Sequence, residues 1–152
     1  MSERIFNENL LLKSKNSDLL SAIKEWKLKS AFLGKDSCIC GKTPIKHICL
    51  MKNIHNNNVI IVGSSCVEKF FHIPTGKMFS DFAKVEKNIL AKLDSFTIEF
   101  LFKNYLINSW EYEFYMNINK WRNLSEKQVN CLRRINERLI KEMRGGFNSL
   151  SH

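Results

Sequence analysis

The sequence predicts an α+β fold in which a small β-hairpin module is joined to a predominantly helical remainder. Two β-branched, apolar runs, "IKHICLMKNI" and "VIIVG", are separated by "HNNN", whose asparagines tolerate the left-handed backbone of a tight connection. Apolar residues recur at helical spacing on both sides of this hairpin. Four of the five cysteines also lie in or beside it, between residues 38 and 66.

Length and composition predict one domain with a real hydrophobic core. The chain has 152 residues, 44% of them hydrophobic, and two prolines. The change of pattern along the chain divides it into an N-terminal helical segment (1–34), a hairpin module (35–74) and a helical C-terminal region (75–152). We expect these three segments to form a single compact domain overall.

The N-terminal segment is expected to be helical because of the stretch "NSDLLSAIKEWKL". Asn16 or Ser17 can serve as its N-cap. The apolar residues that share one face of this helix are Leu19, Ala22, Ile23 and Trp26. Gly34 then ends the pattern before the cysteine-rich stretch begins.

The C-terminal region contains three further helical patterns. The first starts near Phe79, with Ser80 or Asp81 as a cap and apolar residues on one side: Phe82, Val85, Ile89, Leu90 and Leu93. The aromatic stretch "FTIEFLFKNYLINSWEYEFYMNINKW" fits a buried helix or strands, and helix is the favoured interpretation.

The last helix has the clearest signature of any element. Ser125 and Gln128 form the pattern of a capping box, and Gly145 and Gly146 end the helix. The apolar stripe consists of Val129, Leu132, Ile135, Leu139 and Met143.

Charge and cysteine content restrict the class of protein. The formal net charge of +9 favours polyanionic partners. No run approaches the roughly 18 to 20 apolar residues of a membrane span, and the first thirty residues lack the apolar core of a secretory signal. We therefore expect a cytoplasmic protein, in which clustered cysteines are more often metal ligands than disulfide partners.

The cysteine spacing predicts a zinc site. One residue separates Cys38 from Cys40, eight residues separate Cys40 from Cys49, and sixteen separate Cys49 from Cys66. Gly41 permits a sharp turn around an ion, and Cys66 lies where a strand leads into a helix, whose dipole stabilises a thiolate. A knuckle, a hairpin and a ligand at a helix start follow the order of a treble-clef zinc module. The predicted ligands are these four cysteines.

Alternative ligand sets remain open at this point. The usual knuckle has two residues between its cysteines and the usual helix supplies two ligands, whereas each count is one here. His47 lies on the same strand face as Cys49 and could replace it, and His55 is a more remote candidate. Four thiolates could also hold an iron–sulfur cluster, although no familiar cluster spacing is present, and absence of a metal is the third alternative.

The motifs "CICGKTPIKHIC", "IIVGSSCVEKF" and "LSEKQ", together with Asn53, resemble a group of small zinc-binding proteins encoded by bacteriophages, prophages and other mobile elements. The resemblance covers the central third of the chain and one short C-terminal motif. It implies metal ligands at Cys38, Cys40, Cys49 and Cys66, and it implies no particular activity.

Catalytic signatures are missing from the sequence. There is no H-E-x-x-H pair, no deaminase motif and no glycine-rich phosphate loop. A site closed by four thiolates offers no free position to water, so zinc is expected to stabilise the fold. We therefore expect a protein that is not an enzyme.

A basic surface is predicted on the last helix. At 100° per residue its cations lie away from the apolar stripe: Lys127, Arg133, Arg134, Arg138 and Lys141. Lys120, Trp121 and Arg122 precede it and place an aromatic ring between two cations, which suits base stacking with phosphate contact. The sequence thus predicts an accessory or regulatory protein that binds DNA or RNA.

The competing interpretation is a protein-interaction module that inhibits or adapts a host enzyme. Such a surface exposes apolar side chains. The sequence offers Phe70 and Phe71, and the stretch from Trp110 to Tyr115, as candidates.

Overall fold

The computed structural model describes residues 3–145, which contain seven α-helices and one three-stranded antiparallel sheet. This confirms a mixed helix and sheet fold. The chain divides into two compact units. One includes the described residues up to Gly76, and the other is Lys77–Met143.

The first unit is built around the sheet. Its elements are α1 (Glu3–Lys13), α2 (Leu19–Ile23), β1 (Trp26–Asp36), β2 (Ile45–Asn53), β3 (Val59–Gly63) and α3 (Ser64–Cys66), followed by a π-helical turn (Val67–Phe71). The strand order is β1-β2-β3. The predicted hairpin is therefore confirmed as β2 and β3, and Asn57 in its loop has the expected positive φ of 62°.

The predicted helical segment over residues 1–34 is wrong in its second half. Helix α2 ends at Ile23, and Trp26 begins an eleven-residue strand. The strand is explained by pairing with β2, from Trp26 opposite Asn53 to Asp36 opposite Ile45. Such pairing supplies backbone hydrogen bonds to a strand. They outweigh the local preference for a helix, which was inferred from the spacing of only a few apolar residues. Helix α1 was not foreseen.

A buried carboxylate ties the chain before β1 to the end of β2. Glu25 is 2% exposed and accepts hydrogen bonds from the backbone N–H groups of Lys15 and Asn16, at 2.7 and 2.8 Å, and from the Asn53 amide at 2.8 Å. Asn53 Oδ1 in turn accepts the N–H of His55 at 2.8 Å. Asn53 is one of the residues on which the family resemblance rests. Its hydrogen bonds to Glu25 and His55 stabilise the fold, which explains an asparagine at this position.

The second unit is helical. Its elements are α4 (Thr75–Lys87, which begins just before the unit boundary), α5 (Ser95–Lys103), α6 (Ser109–Ile118) and α7 (Glu126–Arg144). The helix expected from Phe79 therefore starts four residues earlier and ends before Ile89. Asp81 is not its cap, because its buried carboxylate accepts the Asp94 N–H at 2.7 Å and the Thr97 hydroxyl at 2.8 Å.

The helical interpretation of the aromatic stretch is confirmed by α5 and α6. The capping box of α7 is also confirmed, since Ser125 N–H donates to Gln128 Oε1 at 2.8 Å and Gln128 N–H to Ser125 Oγ at 3.2 Å. The second glycine predicted to end α7, Gly146, lies outside the described residues. Within residues 3–145, no helix has the length and apolarity needed to cross a bilayer.

Polar groups in the interior fix the position of α6 on α7. The Tyr115 hydroxyl donates to Asn136 Oδ1 at 2.5 Å, and the Asn136 amide donates to the Ile89 and Ala91 carbonyls at 2.7 and 2.8 Å. Both side chains are completely buried. Removal of either partner would leave buried polar groups without hydrogen bonds and would lower the free energy of unfolding. This network therefore specifies one arrangement of the helices.

Glu25→Gln is predicted to destabilise the protein at neutral pH and to flatten its acid response. Burial opposes ionisation of this carboxyl, but the hydrogen bonds from Asn53, Lys15 and Asn16 dominate and lower its pKa from 4.5 to about 2. A lowered folded-state pKa contributes stability that is present above pH ~4.5 and is lost as pH falls through ~2. Melting temperatures of wild type and variant should therefore converge between these values.

Glu8→Gln is the matched control, because it removes the same charge from an exposed side chain of α1. A Glu25→Gln variant that melts like Glu8→Gln at every pH would contradict the assigned role.

Candidate metal centre

The knuckle that holds the first two cysteines is a tight turn. Cys38 N–H donates to the Lys42 carbonyl at 3.0 Å, and Gly41 N–H donates to the Cys38 carbonyl at 2.9 Å. Gly41 has a φ of 98°, which side chains rarely adopt, so glycine is required at this position. The Asn9 side chain of α1 donates to the Ile39 carbonyl at 2.7 Å, so a contact from another element also stabilises the turn.

The third cysteine comes from the point where β3 leads into α3. Cys38, Cys40 and Cys66 place their Sγ atoms within 4.8 Å of one another. Four ligands at the Zn–S distance of ~2.3 Å stand ~3.8 Å apart in a tetrahedron, so a contraction of about one ångström would close this group around an ion. Three close cysteines that can hold a metal ion are therefore present.

Backbone N–H groups point at the Cys38 sulfur. Gly63 N–H donates to Cys38 Sγ at 3.3 Å and Cys40 N–H at 3.5 Å. Hydrogen bonds of this kind stabilise a thiolate over a thiol. The sulfur that accepts them also belongs to the group of three that lie within 4.8 Å of one another.

Burial and mutual repulsion oppose joint ionisation of the three sulfurs. Burial, followed by repulsion from Cys38, raises the pKa of the Cys66 thiol to about 12, and burial raises the pKa of Cys38 as well. Burial also opposes ionisation of Cys40, but hydrogen bonds from the Lys42 backbone and the two neighbouring thiols lower its pKa. A divalent cation would remove the repulsion and neutralise the buried charge.

The cysteine group opens into a cavity of about 350 Å³. Lys42, Lys46 and His47 line this cavity together with the three cysteines. Three thiolates and a divalent ion carry a net charge of −1, which one of the two lysines would be enough to compensate. The structure thus brings His47, the alternative ligand, to the cavity of the cysteine group.

Cys49 is not part of this group. It does not line the cavity, whereas His47 does. Cys49 is completely buried, and burial together with repulsion from Cys38 raises the pKa of its thiol to about 12. Its assignment as the fourth ligand therefore stays a prediction from the sequence, beside the alternative ligand His47.

The predicted nucleic-acid residues lie in the second unit and are mostly exposed. Lys120, Trp121 and Arg122 follow α6, and the remaining residues lie on α7: Lys127, Arg133, Arg134, Arg138 and Lys141. All are exposed except Arg138, which is half-buried. Lys127, Arg134 and Lys141 are spaced by seven residues and therefore share one side of the helix.

Arg138 is half-buried and paired with a carboxylate. Its guanidinium donates to the Glu111 carboxylate at 2.6 Å and to the Leu106 carbonyl at 3.2 Å. Glu111 is buried and also closes the capping box of α6 with Asn108. A helical wheel cannot reveal this partner, because Glu111 comes from another helix.

Sequence reasoning missed part of the surroundings of Trp121. Trp110 and Phe114 of α6 line the same groove as Trp121, Lys127 and Arg134. The stretch from Trp110 to Tyr115 was noted only as a protein-binding candidate, and Tyr115 is in fact completely buried. Phe70 is also engaged internally, since its ring stacks on Phe6 at a centroid distance of 3.9 Å.

Cys40→Ser and Cys66→Ser are each predicted to abolish metal binding and to lower the melting temperature, because structural metal binding is coupled to folding. Cys131→Ser is the matched control, since Cys131 lies on α7 outside the group. Elemental analysis should find about one metal ion per chain in wild type and control. Wild-type protein that is purified without metal and gains no stability from added zinc would contradict the site.

No protein-family model, curated protein sequence or solved structure matches this chain. The cysteine group and the basic surface of α7 are therefore the features from which a function is inferred. The resemblance to mobile-element proteins remains a prediction from the sequence motifs.

Proposed function

We propose that the chain is a non-enzymatic, zinc-stabilised protein that binds nucleic acid. The observation that carries the zinc assignment is the group formed by Cys38, Cys40 and Cys66, whose sulfurs lie within 4.8 Å of one another. Soft thiolates on a tight turn and at a helix start suit zinc better than magnesium or calcium, which prefer oxygen ligands.

His47 completes the zinc site in this proposal. It is an exposed strand residue that lines the cavity beside the three cysteines, and its imidazole is a zinc ligand by type. Three cysteines and one histidine form a common structural zinc set. With all four ligands from the chain, the ion has no open position for water and serves stability.

The order of elements supports a treble-clef-like module. A knuckle at Cys38 and Cys40 precedes the hairpin of β2 and β3, and Cys66 follows in α3. Zinc would fasten the knuckle to the start of this helix. The motif resemblance supports the further proposal that the protein serves a phage or mobile element in the cytoplasm of its host.

The nucleic-acid function rests on the basic surface of α7. Lys127, Arg134 and Lys141 are exposed, and within residues 3–145 none forms an ion pair with a carboxylate. Arg133 adds a further exposed cation. Unneutralised charges on one surface attract phosphates through Coulomb interaction and counterion release.

The second candidate function is binding of a host protein. Two exposed aromatic side chains in the second unit favour it: Tyr105 is 91% exposed, with a positive φ of 60°, and Trp110 is 62% exposed. Such side chains are typical anchors of protein interfaces. The positive charge beside Trp110 favours a polyanion instead, so we rank this candidate second.

The His47→Ala and Cys49→Ser variants distinguish the two ligand sets. We expect His47→Ala to lose zinc in competition with a chelator, because one of four bonds to the ion is removed. Cys49→Ser should retain one zinc per chain, although a hydroxyl in the core lowers its stability. Zinc retention by His47→Ala combined with zinc loss by Cys49→Ser would restore the four-cysteine set.

Lys127, Arg134 and Lys141 together changed to Glu should abolish nucleic-acid binding at moderate salt. If binding weakens without disappearing, the slope of log affinity against log salt should become shallower by about one unit per lost phosphate contact. Lys84, Lys87 and Lys103 changed to Glu form the control, with the same change of charge on exposed residues of α4 and α5. Circular dichroism should report intact folding of both variants.

If both triple variants lose the same amount of nucleic-acid affinity, binding depends on net charge rather than on the surface of α7. Wild-type protein that binds neither DNA nor RNA at low salt would overturn the nucleic-acid function in favour of a protein partner.

A further inference from the structure

An open groove lies between α6 and α7 in the second unit. It encloses about 510 Å³, within the size range of sites that hold small molecules and nucleotides. Trp110, Phe114 and Trp121 supply aromatic walls, and Lys127 and Arg134 supply positive charge.

The aromatic residues present ring surface to solvent. Trp110 is 62% exposed and Trp121 is 45% exposed. The Trp110 ring stacks on Phe114 at a centroid distance of 5.5 Å with an interplanar angle of 7°. Phe114 thus supports one face of the indole, and the exposed area leaves room for a further planar group.

The position of Trp110 is fixed by the helix that carries it. The N-cap Asn108 accepts the Glu111 N–H at 2.8 Å, and the Glu111 carboxylate accepts the Asn108 N–H at 2.9 Å. Glu111 is also paired with Arg138 of α7. The start of α6 is therefore rigid beside the groove, which lowers the entropy cost of ligand binding.

The cations of the groove have no acidic partner within residues 3–145. Lys127 and Arg134 stand two turns apart on α7, about 10 Å along its axis, and neither is in an ion pair there. The neighbouring Arg138, by contrast, is occupied by Glu111. The groove therefore combines stacking surfaces with charge that is available to an anion.

We propose that this groove binds single-stranded nucleic acid, with a base stacked on Trp110, Trp121 beside it, and phosphates at Lys127 and Arg134. Single strands fit because only unpaired bases expose a face to an aromatic ring, whereas a duplex buries both faces. This inference rests on the proposed nucleic-acid function and specifies its ligand class. Stacking is tolerant of sequence, so weak base preference is expected.

The test uses the zinc-loaded full chain with a fluorescent oligothymidine and a DNA duplex of equal length. The oligothymidine should bind more tightly than the duplex, and its affinity should fall with salt. Trp110→Ala and Trp121→Ala should each weaken oligothymidine binding by about 5- to 150-fold, the effect of losing one stacked base. Trp110→Phe should retain most of the affinity, because its ring still stacks.

Tyr105→Ala is the matched control, since it removes an exposed aromatic ring that does not line the groove. It should bind oligothymidine like the wild type. Intrinsic fluorescence gives a second readout that does not depend on the variants alone. Stacking should quench the exposed tryptophans on oligothymidine binding, and Trp110→Ala should lose part of this quenching.

The outcomes separate this inference from the function on which it rests. Tighter binding to the duplex, or unchanged oligothymidine affinity in both tryptophan variants, would overturn the groove assignment and leave phosphate binding by α7 intact. Absence of any nucleic-acid binding by the wild type at low salt would overturn both.

Discussion

The crowding of three cysteine sulfurs into one small space is the constraint that organises the cysteine end of the first unit. The knuckle at Cys38, the end of β3 at Gly63 and the start of α3 all meet there, and backbone N–H groups point at Cys38 Sγ. Burial and mutual repulsion oppose ionisation of Cys38 and Cys66. A cation at the centre would convert this unfavourable arrangement into bonds between segments distant in sequence.

Buried polar contacts perform the equivalent task in the second unit. Tyr115 and Asn136 join α6 to α7, and Glu111 links the start of α6 to Arg138. Each contact has a defined partner, so the two helices take one position relative to each other. The result is a rigid scaffold whose outer residues, including Trp110 and Trp121, remain exposed. The contacts that join these helices thus involve other residues than the exposed tryptophans.

The sequence predicted the elements whose signals are local. The asparagine-rich hairpin, the capping box at Ser125 and the cysteine knuckle all depend on neighbouring residues, and the structure contains them. Strand β1 was missed because pairing with β2 outweighs local spacing. Cys49 was predicted as the fourth ligand from its spacing and from the family resemblance, but it lies outside the group of three sulfurs and does not line their cavity. The pairing of Arg138 with Glu111 was missed because a helical wheel contains no information about residues of another helix.

X-ray absorption at the zinc edge, on protein purified from cells without added metal, tests the zinc assignment most directly. The proposed set of Cys38, Cys40, Cys66 and His47 predicts three sulfur neighbours at ~2.3 Å and one nitrogen at ~2.0 to 2.1 Å. Four sulfur neighbours would return Cys49 to the site. A protein without zinc, or with zinc bound only to nitrogen and oxygen, would contradict the assignment of the cysteine group as a metal centre.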